Sequence, residues 1–493
     1  MKSLNFVSTL TVVLSLSLST SMAHASYNSK RPNQPSPPTK SDDSDSKEKS
    51  SSSSRFPSPT DTTPTEVVVD PEYLRERVLS NNLSLEVELN TVKDQKTTLN
   101  IDRAKLLPSI NLNIGSGSLG NFMVSAIQFM FPFLMPSNWF QLDAQQNVFD
   151  AEKISYKILE LNTYASALAM YYAILADNKA AVIYQQQADD LMRIYNAKMQ
   201  VNDAFRTIPP EDLQNAFANA NIAKSTASNA IELSQQEVSA LRQVLSLPLG
   251  AKITVKDTDI GALDIENKPL ADVVEQALEV APEYQQINFL VNAAIAGEWN
   301  AGFGWINGAS ATATPVKNGS LPNFGTTTGQ LTFHLGADLF PTIELSDRNV
   351  DEVRLRKVAL QQEITQSVEA GLASIAQAAQ QFTYSAQAES SLANVYDITS
   401  KKYEAGFGAT IVDVLTAHAN LTTAAVMRIR AQQDLNNQRV TLQRALILGQ
   451  FSKIKGCDID RQKPGFLSGI FGGTNAQIDA ICREGGNNLK KSN

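Results

Sequence analysis

Cysteine is nearly missing from this sequence: two in 493 residues, Cys457 and Cys482, both close to the C-terminal end. That excludes a core built on disulfides or on a cysteine-rich metal cluster. Histidine is almost as scarce, three in all. His24 falls in a leader segment. Neither His334 nor His418 has His, Cys or clustered carboxylates beside it at ligand spacing. No basic excess exists either: 42 Lys+Arg stand against 50 Asp+Glu, a net charge of −8. Without a basic patch the chain has no footprint for phosphate, so no nucleic-acid partner is expected. Aromatics are sparse at 7%, whereas Ala, Gln, Asn and Ser are plentiful. Nucleophile elbow, phosphate loop and dinucleotide fingerprint are all absent, and "GFGWING" (302–308) leads into a strand pattern rather than opening a helix. The expectation is a chain that is not an enzyme and needs no cofactor or metal.

What is present starts with "MKSLNFVSTLTVVLSLSLSTSMAHAS". A lysine precedes a short apolar run closed by Ala23-His24-Ala25, which reads as a signal peptide over 1–25. The run is too short for a membrane helix. No cysteine follows the cleavage site, so no lipid anchor is expected. Residues 26–66 are Ser, Pro, Thr, Lys and Asp with almost nothing apolar, a composition that cannot bury enough surface to order itself. They read as a disordered linker. At the other end, 451–493 reads as a Gly-rich tail. An even cysteine count in an exported chain suggests a Cys457–Cys482 disulfide, with two free thiols as the alternative.

Between these ends the chain repeats itself once, over 70–250 and 269–450. "RVLSNNLSLEVELN" (77–90) resembles "QALEVAPEYQQINF" (276–289). "LLPSINLNIGSGS" (106–118) is followed in the second copy by "GWINGASATATPV" (304–316). "NWFQLDAQQNVFD" (138–150) is matched to "TGQLTFHLGADLFP" (328–341). Both copies close alike, in "LRQVLSLPLG" (241–250) and "LQRALILG" (442–449). Such a period is far longer than solenoid repeats use.

Residues 151–206 and 347–405 hold almost no Gly or Pro, and at 1.5 Å per residue each predicts a helix of roughly 80–90 Å. Leu360, Ile364, Val368, Leu372, Ile375 and Phe382 form a narrow i, i+3/i+4 stripe, the seam of a coiled coil rather than a helix sunk in a core. Polar faces on both sides of the seam fit the wall of a hollow tube or a solid rod. Alternation of period two marks 110–114, 140–148 and 330–340. In 140–148 and 330–340 the polar positions include Gln141, Asp143, Asn147, His334 and Asp338. One apolar and one polar side over about ten residues is what a membrane barrel strand requires, and it is also what a sheet on a soluble core requires. Four such strands cannot close a barrel alone, so closure needs several chains. "LGNFMVSAIQFMFPFLMP" (119–136), broken by Pro132, is too short to span as a helix and reads as an outer loop or as strand extensions.

The order of these segments, with "AKLLPSINL" (104–112), "QNVFD" (146–150) and the stretch "YEAGFGATIVDVLTAHANL" (403–421), resembles the TolC-type outer-membrane efflux proteins. The resemblance covers about residues 70–450. It implies a mainly α fold of duplicated long-helix hairpins, with four transmembrane strands per protomer in a shared trimeric β-barrel. It implies a homotrimer in the outer membrane of a Gram-negative bacterium, with a large periplasmic portion. The channel would be a passive conduit of tripartite efflux or type I secretion, served by a periplasmic adaptor and an inner-membrane pump. The competing reading is a periplasmic helical scaffold, or a TolC-like protein without export activity. On the tunnel reading Gln141, Asp143, Asn147, His334 and Asp338 face the lumen.

The tips carry the remaining candidates. Gly406 and Gly408 interrupt a helical pattern where a tight reversal needs glycine freedom, and Asp413 follows in the first turn of the returning helix. Asp413 serves as a cap on one reading and as part of an acidic gate ring on the other. The first tip, "YNAKMQVNDAFRTIPPEDLQNA" (195–216), has no glycine; Pro209 and Pro210 precede Glu211 and Asp212, a helix-start signal. Asp212 corresponds to Asp413. Thr416 stands where the family often carries a second acidic residue. Lys198, Arg206, Lys401 and Lys402 flank the tips as candidate partners for these carboxylates.

Overall fold

The computed structural model describes residues 65–106, 135–205, 210–303, 306–313, 327–333 and 339–456. The signal peptide, most of the linker reading, the strand reading at 110–114, all but the last two residues of the 119–136 segment, His334, Asp338 and both cysteines lie outside them.

Long stretches without helix breakers fold as long helices. α1 (Pro71–Asn81) starts on Asp70, whose side chain accepts from Tyr73 N at 2.8 Å, with Pro71 in the first turn. α2 (Leu83–Lys105) starts on Asn82, whose Oδ1 takes Ser84 N and Leu85 N at 2.9 and 3.2 Å. The same side chain donates its Nδ2 to Val244 O at 2.9 Å, which ties this joint to the end of the first hairpin. α3 (Pro136–Phe205) has 70 residues, about 105 Å of helix. α4 (Pro210–Val244) returns along half of it with 35 residues. The second copy follows the same plan: α5 (Leu270–Val280), α6 (Pro282–Gly302), α7 (Leu339–Glu404, 66 residues) and the returning α8 (Ile411–Ala445, 35 residues). The halves of α3 and α7 left uncovered by a returning helix pack on α6, and α3 also packs on α2.

Both returning helices stop in the same way. Ser246 N donates to Gln243 O and Leu247 N to Arg242 O; Ile447 N donates to Arg444 O and Leu448 N to Gln443 O. These are paired Schellman closures with Ser246 (φ 48) and Ile447 (φ 50) in the left-handed region. The duplicated "LRQVLSLPLG" and "LQRALILG" segments are therefore duplicated helix ends. A strand pair joins the two ends of the first copy: β1 (Thr65–Val69) pairs in parallel with β2 (Ala251–Val255), Thr65 opposite Ala251 and Val69 opposite Val255. Strand β1 corrects the linker boundary, because Thr65 and Glu66 belong to the folded unit.

The main core lies where the copies begin and end. Leu74, Val78, Leu161, Tyr164, Tyr171, Leu241, Leu245 and Phe451 are all fully buried there. Tyr164 donates its hydroxyl to Pro71 O at 3.0 Å and sets its ring edge-on to Phe451, 4.9 Å between centroids. Phe451 and Ile454 thus place the first residues of the tail reading inside the core. A second cluster joins Val368, Ile375 and Ala378 to Leu435, Leu442 and Leu446, with Ile364, Leu372 and Phe382 packed at its edge. This is the stripe read from the sequence, and it is as narrow as predicted: the residues between its members on α7 are mostly exposed.

The strand readings divide. β3 (Ile306–Ala313) and β4 (Thr327–Phe333) pair antiparallel, Ala309 opposite Leu331, with an irregularity between Ile306 and Gly308. The reading at 140–148 is overturned, because these residues lie in the first turns of α3. Gln141, Asp143 and Asn147 are helical residues, not lumen-facing strand positions. Hydrogen bonds one turn apart hold them: Asn147 Nδ2 to Asp143 O at 2.8 Å and Gln146 Nε2 to Asp150 Oδ2 at 3.1 Å. Arg103 Nη2 reaches Gln146 Oε1 from α2 at 2.8 Å. Phe140, Ala144 and Val148, read as alternate strand positions, also fall at i, i+4, so helical periodicity accounts for them equally well. Among the described residues no helix is long and apolar enough to cross a membrane.

Candidate functional site at the helical tips

The α7–α8 turn is built by its glycines. Gly406 N donates to Tyr403 O at 3.2 Å and Phe407 N to Lys402 O at 2.9 Å, a third Schellman closure. Here glycine occupies the left-handed position, φ 74 at Gly406, and Gly408 repeats it at φ 75. Phe407 between them is 77% exposed. Thr410 then caps α8 in a reciprocal box. Asp413 N donates to Thr410 Oγ1 at 3.2 Å, while Asp413 Oδ2 accepts from Thr410 N and Thr410 Oγ1, both at 2.8 Å. These bonds, the backbone one first, hold the exposed Asp413 carboxyl below its ordinary value. Thr416 Oγ1 donates to Val412 O at 2.8 Å, so its hydroxyl is turned to its own helix.

Glu211 and Asp212 sit in the first turn of α4 behind Pro210. The two tips meet through small apolar side chains: Leu191, Ala216 and Ala220 of the first hairpin against Ile411 and Leu415 of the second. Tyr403 joins this contact, with Lys198 Nζ 4.3 Å above its ring. Burial first, and then the Asp212 charge, push the Tyr403 phenol up. Of the flanking cations, Lys401 pairs with Asp397 of its own helix at 2.7 Å instead of crossing to a tip carboxylate.

Further from the tip, groups that spacing alone did not single out link the hairpins. His418 of α8 is 5% exposed. Its Nε2 lies 3.5 Å from Asp190 Oδ2 of α3, its ring is edge-on to Tyr396 of α7 at 4.7 Å, and its Nδ1 is buried with no hydrogen-bond partner. Burial outweighs Asp190 and lowers the imidazole below its ordinary value. The sequence signal was the apolar spacing Ile411, Leu415, His418, Thr422, Ala425, all buried on α8. One level deeper, Arg430 of α8 pairs with the buried Asp177 of α3, beside Glu237 of α4. Burial and the Asp177 charge push Glu237 up to about 7. Among the described residues no group of three or more His, Cys, Asp or Glu could hold a metal ion.

Comparison with known proteins follows this geometry. Residues 312–446 match the family described as outer membrane efflux protein. A membrane protein from Pseudomonas aeruginosa superposes with a TM-score of 0.62 at 16% identity, covering 77% of this chain and 90% of that one. The Campylobacter jejuni CmeC outer membrane channel superposes with a TM-score of 0.61 at 14% identity, covering 87% and 93%. For the open state of the Neisseria gonorrhoeae MtrE outer membrane channel the values are 0.58, 15%, 76% and 88%. At these identities the likeness establishes the fold. No curated protein matches the chain by sequence.

Proposed function

We propose that this chain, an outer membrane efflux protein by its family match and TolC-like by its fold, is the outer-membrane channel of a tripartite export system. The observation that carries this reading is the duplicated hairpin. Two long helices and two half-length returns share one plan, with an antiparallel strand pair inserted ahead of the second long helix. Three copies would close the strands into a barrel, since open strand edges cannot face lipid. The helices would line a periplasmic conduit, and a periplasmic adaptor and an inner-membrane pump would meet it at the tips. The chain acts as a passive path and performs no catalysis.

Closure at the tips is assigned to Asp413 and Asp212. Asp413 stays ionised well into acid because its cap holds it so. The Asp212 charge is near enough to act on the Tyr403 phenol of the second hairpin. Rings of such carboxylates around a three-fold axis attract cations and narrow the entrance. The test is single-channel conductance of detergent-purified chain in a planar bilayer. The expected result is a trimer that inserts and conducts weakly, and Asp212→Ala with Asp413→Ala raises the conductance. A species that never conducts would sink the channel reading. Unchanged conductance and cation sensitivity in the double variant would sink the gate alone.

A further inference from the structure

Two carboxyls and one guanidinium meet where the first hairpin packs on α8. Asp177 of α3 is 2% exposed. Its Oδ1 accepts from Arg430 Nη2 of α8, and Arg430 Nη1 donates to Gln433 Oε1 of its own helix at 3.0 Å. Glu237 of α4 joins Asp177 through a side-chain hydrogen bond, and its Oε2 is buried without a partner. Beside them Ser234 Oγ of α4 donates to Asn178 Oδ1 of α3 at 2.8 Å, a neutral bond across the same helix pair. Three helices thus converge on the Asp177 carboxylate.

Carboxylate oxygens only accept, so a hydrogen bond between two carboxyls needs a proton on one of them. Asp177 has the Arg430 cation for its charge. The charges acting on Glu237 are Asp177 from α3 and Arg430 from α8. On its own helix the residues one turn away, Leu233, Ser234, Ala240 and Leu241, carry none. Lys179, two residues beyond Asp177, is turned to Asp257 at 2.7 Å. Burial first, and then Asp177, push the Glu237 carboxyl up to about 7 against the smaller effect of Arg430. The proton therefore sits on Glu237 in mild acid. Its loss turns a hydrogen bond into repulsion between two carboxylates that share one cation.

We propose that Glu237, Asp177 and Arg430 form a proton-operated latch between the first hairpin and α8, fastened while Glu237 is protonated and slack once it ionises. With the proton in place, Asp177 takes one donor from α4 and one from α8 and ties all three helices together. Without it, the half-buried Glu237 turns to water and α4 leaves the joint. A value raised in the fold contributes stability that is complete below 4.5, falls as pH rises toward 7 and is gone above it. The latch concerns the joint between the hairpins and holds whether or not the chain conducts.

The experiment uses the full detergent-solubilised chain. Amide protection over residues 230–241 and 427–435 is followed from pH 5 to pH 8, relative to the intrinsic exchange rate at each pH. Protection in the parent should fall by up to about ten-fold per pH unit as pH rises to 7, and then level off. The isosteric Glu237→Gln cannot ionise and should hold it nearly constant. Infrared spectra taken against the same protein carrying Glu237→Gln isolate the band of the protonated carboxyl, which should fade through neutrality. Asp177→Asn should lower the midpoint of that change and Arg430→Gln should raise it, by about one unit or more each. Opposite displacements are the mark of a proton held between these charges, and mere loosening of the packing would not produce them. A carboxyl band missing at pH 6, a midpoint that neither variant moves, or protection in Glu237→Gln that falls as steeply as in the parent overturns the latch. If Asp177→Asn or Arg430→Gln fails to fold, the comparison of Glu237→Gln with the parent decides alone.

Discussion

Replacing Glu160 by glutamine tests whether a lone buried carboxyl governs how this fold responds to pH. Glu160 of α3 is 4% exposed, and its Oε2 is buried without a hydrogen-bond partner. Burial pushes the carboxyl up from 4.5 to about 8, against the smaller opposing effects of a hydrogen bond with Tyr156 and the Lys157 charge. A folded-state value above the unfolded one means that the folded protein holds its proton more tightly. The associated stability is complete below 4.5 and drains away as pH rises toward 8. At about 1.4 kcal/mol per unit, the loss at pH 7 is on the order of 3 kcal/mol, and at pH 8 on the order of 4. Glutamine keeps the shape and the polar edge and cannot ionise. Glu160→Gln is expected to match the parent near pH 4 and to exceed it increasingly through pH 7 and 8. Thermal unfolding of the detergent-solubilised protein across this range reads the difference. Parallel curves for parent and variant would refute the reasoning. They would mean that Glu160 is ionised in the fold, with Lys157 as its counter-charge.

Arg439 binds Glu266 through Nε at 2.9 Å and Nη2 at 3.3 Å and donates Nη1 to Ile260 O at 2.7 Å, with both side chains largely buried. Arg439→Met should cost about 3–5 kcal/mol by leaving a buried carboxylate unpaired, and adding Glu266→Gln should recover part of that in the same thermal assay. For His418 the linkage has the opposite sign to Glu160. A lowered imidazole contributes stability above its ordinary value of 6.5 that is lost as pH falls below it. Amide protection in the first half of α8, taken relative to the intrinsic exchange rate at each pH, should fall from pH 7.5 to pH 5.5, and His418→Gln should remove that dependence. An equal loss of protection in parent and variant would place the acid response elsewhere.

The parts of this architecture that were legible in the sequence are those governed by local chemistry. Gly406, Gly408 and Asp413 announced a reversal followed by the start of a returning helix, though not that Thr410 would cap it. The stripe from Leu360 to Phe382 announced a helix with a narrow seam. Where two periods overlap, the sequence misleads: Phe140 to Val148 satisfies both an alternation and an i, i+4 spacing, and the helix wins. It is held there by side-chain hydrogen bonds one turn apart and by Phe140 against α6. Strand β1 was hidden for a different reason. Its five residues adjoin a polar tract, and only a distant partner gives them a register. Buried charges such as Glu160 and Asp177 carry no local signal, because burial is a property of the packed helices around them.

The parallel pairing of Thr65–Val69 with Ala251–Val255 sets an order on how the protein is made. Strand β1 is synthesised and exported first, but its only described partner strand lies beyond the whole first hairpin. Contacts this remote in sequence are slow to form, because the intervening chain must be gathered before they stabilise anything. The first hairpin can grow along α3 and α4 by local contacts while its foot stays unfastened. Only when β2 has emerged, with the second copy directly behind it, can the foot be secured. Closure of the first half thus waits on the segment that follows it, and a chain truncated ahead of Ala251 would keep the helices of the first hairpin while losing the clasp at its foot.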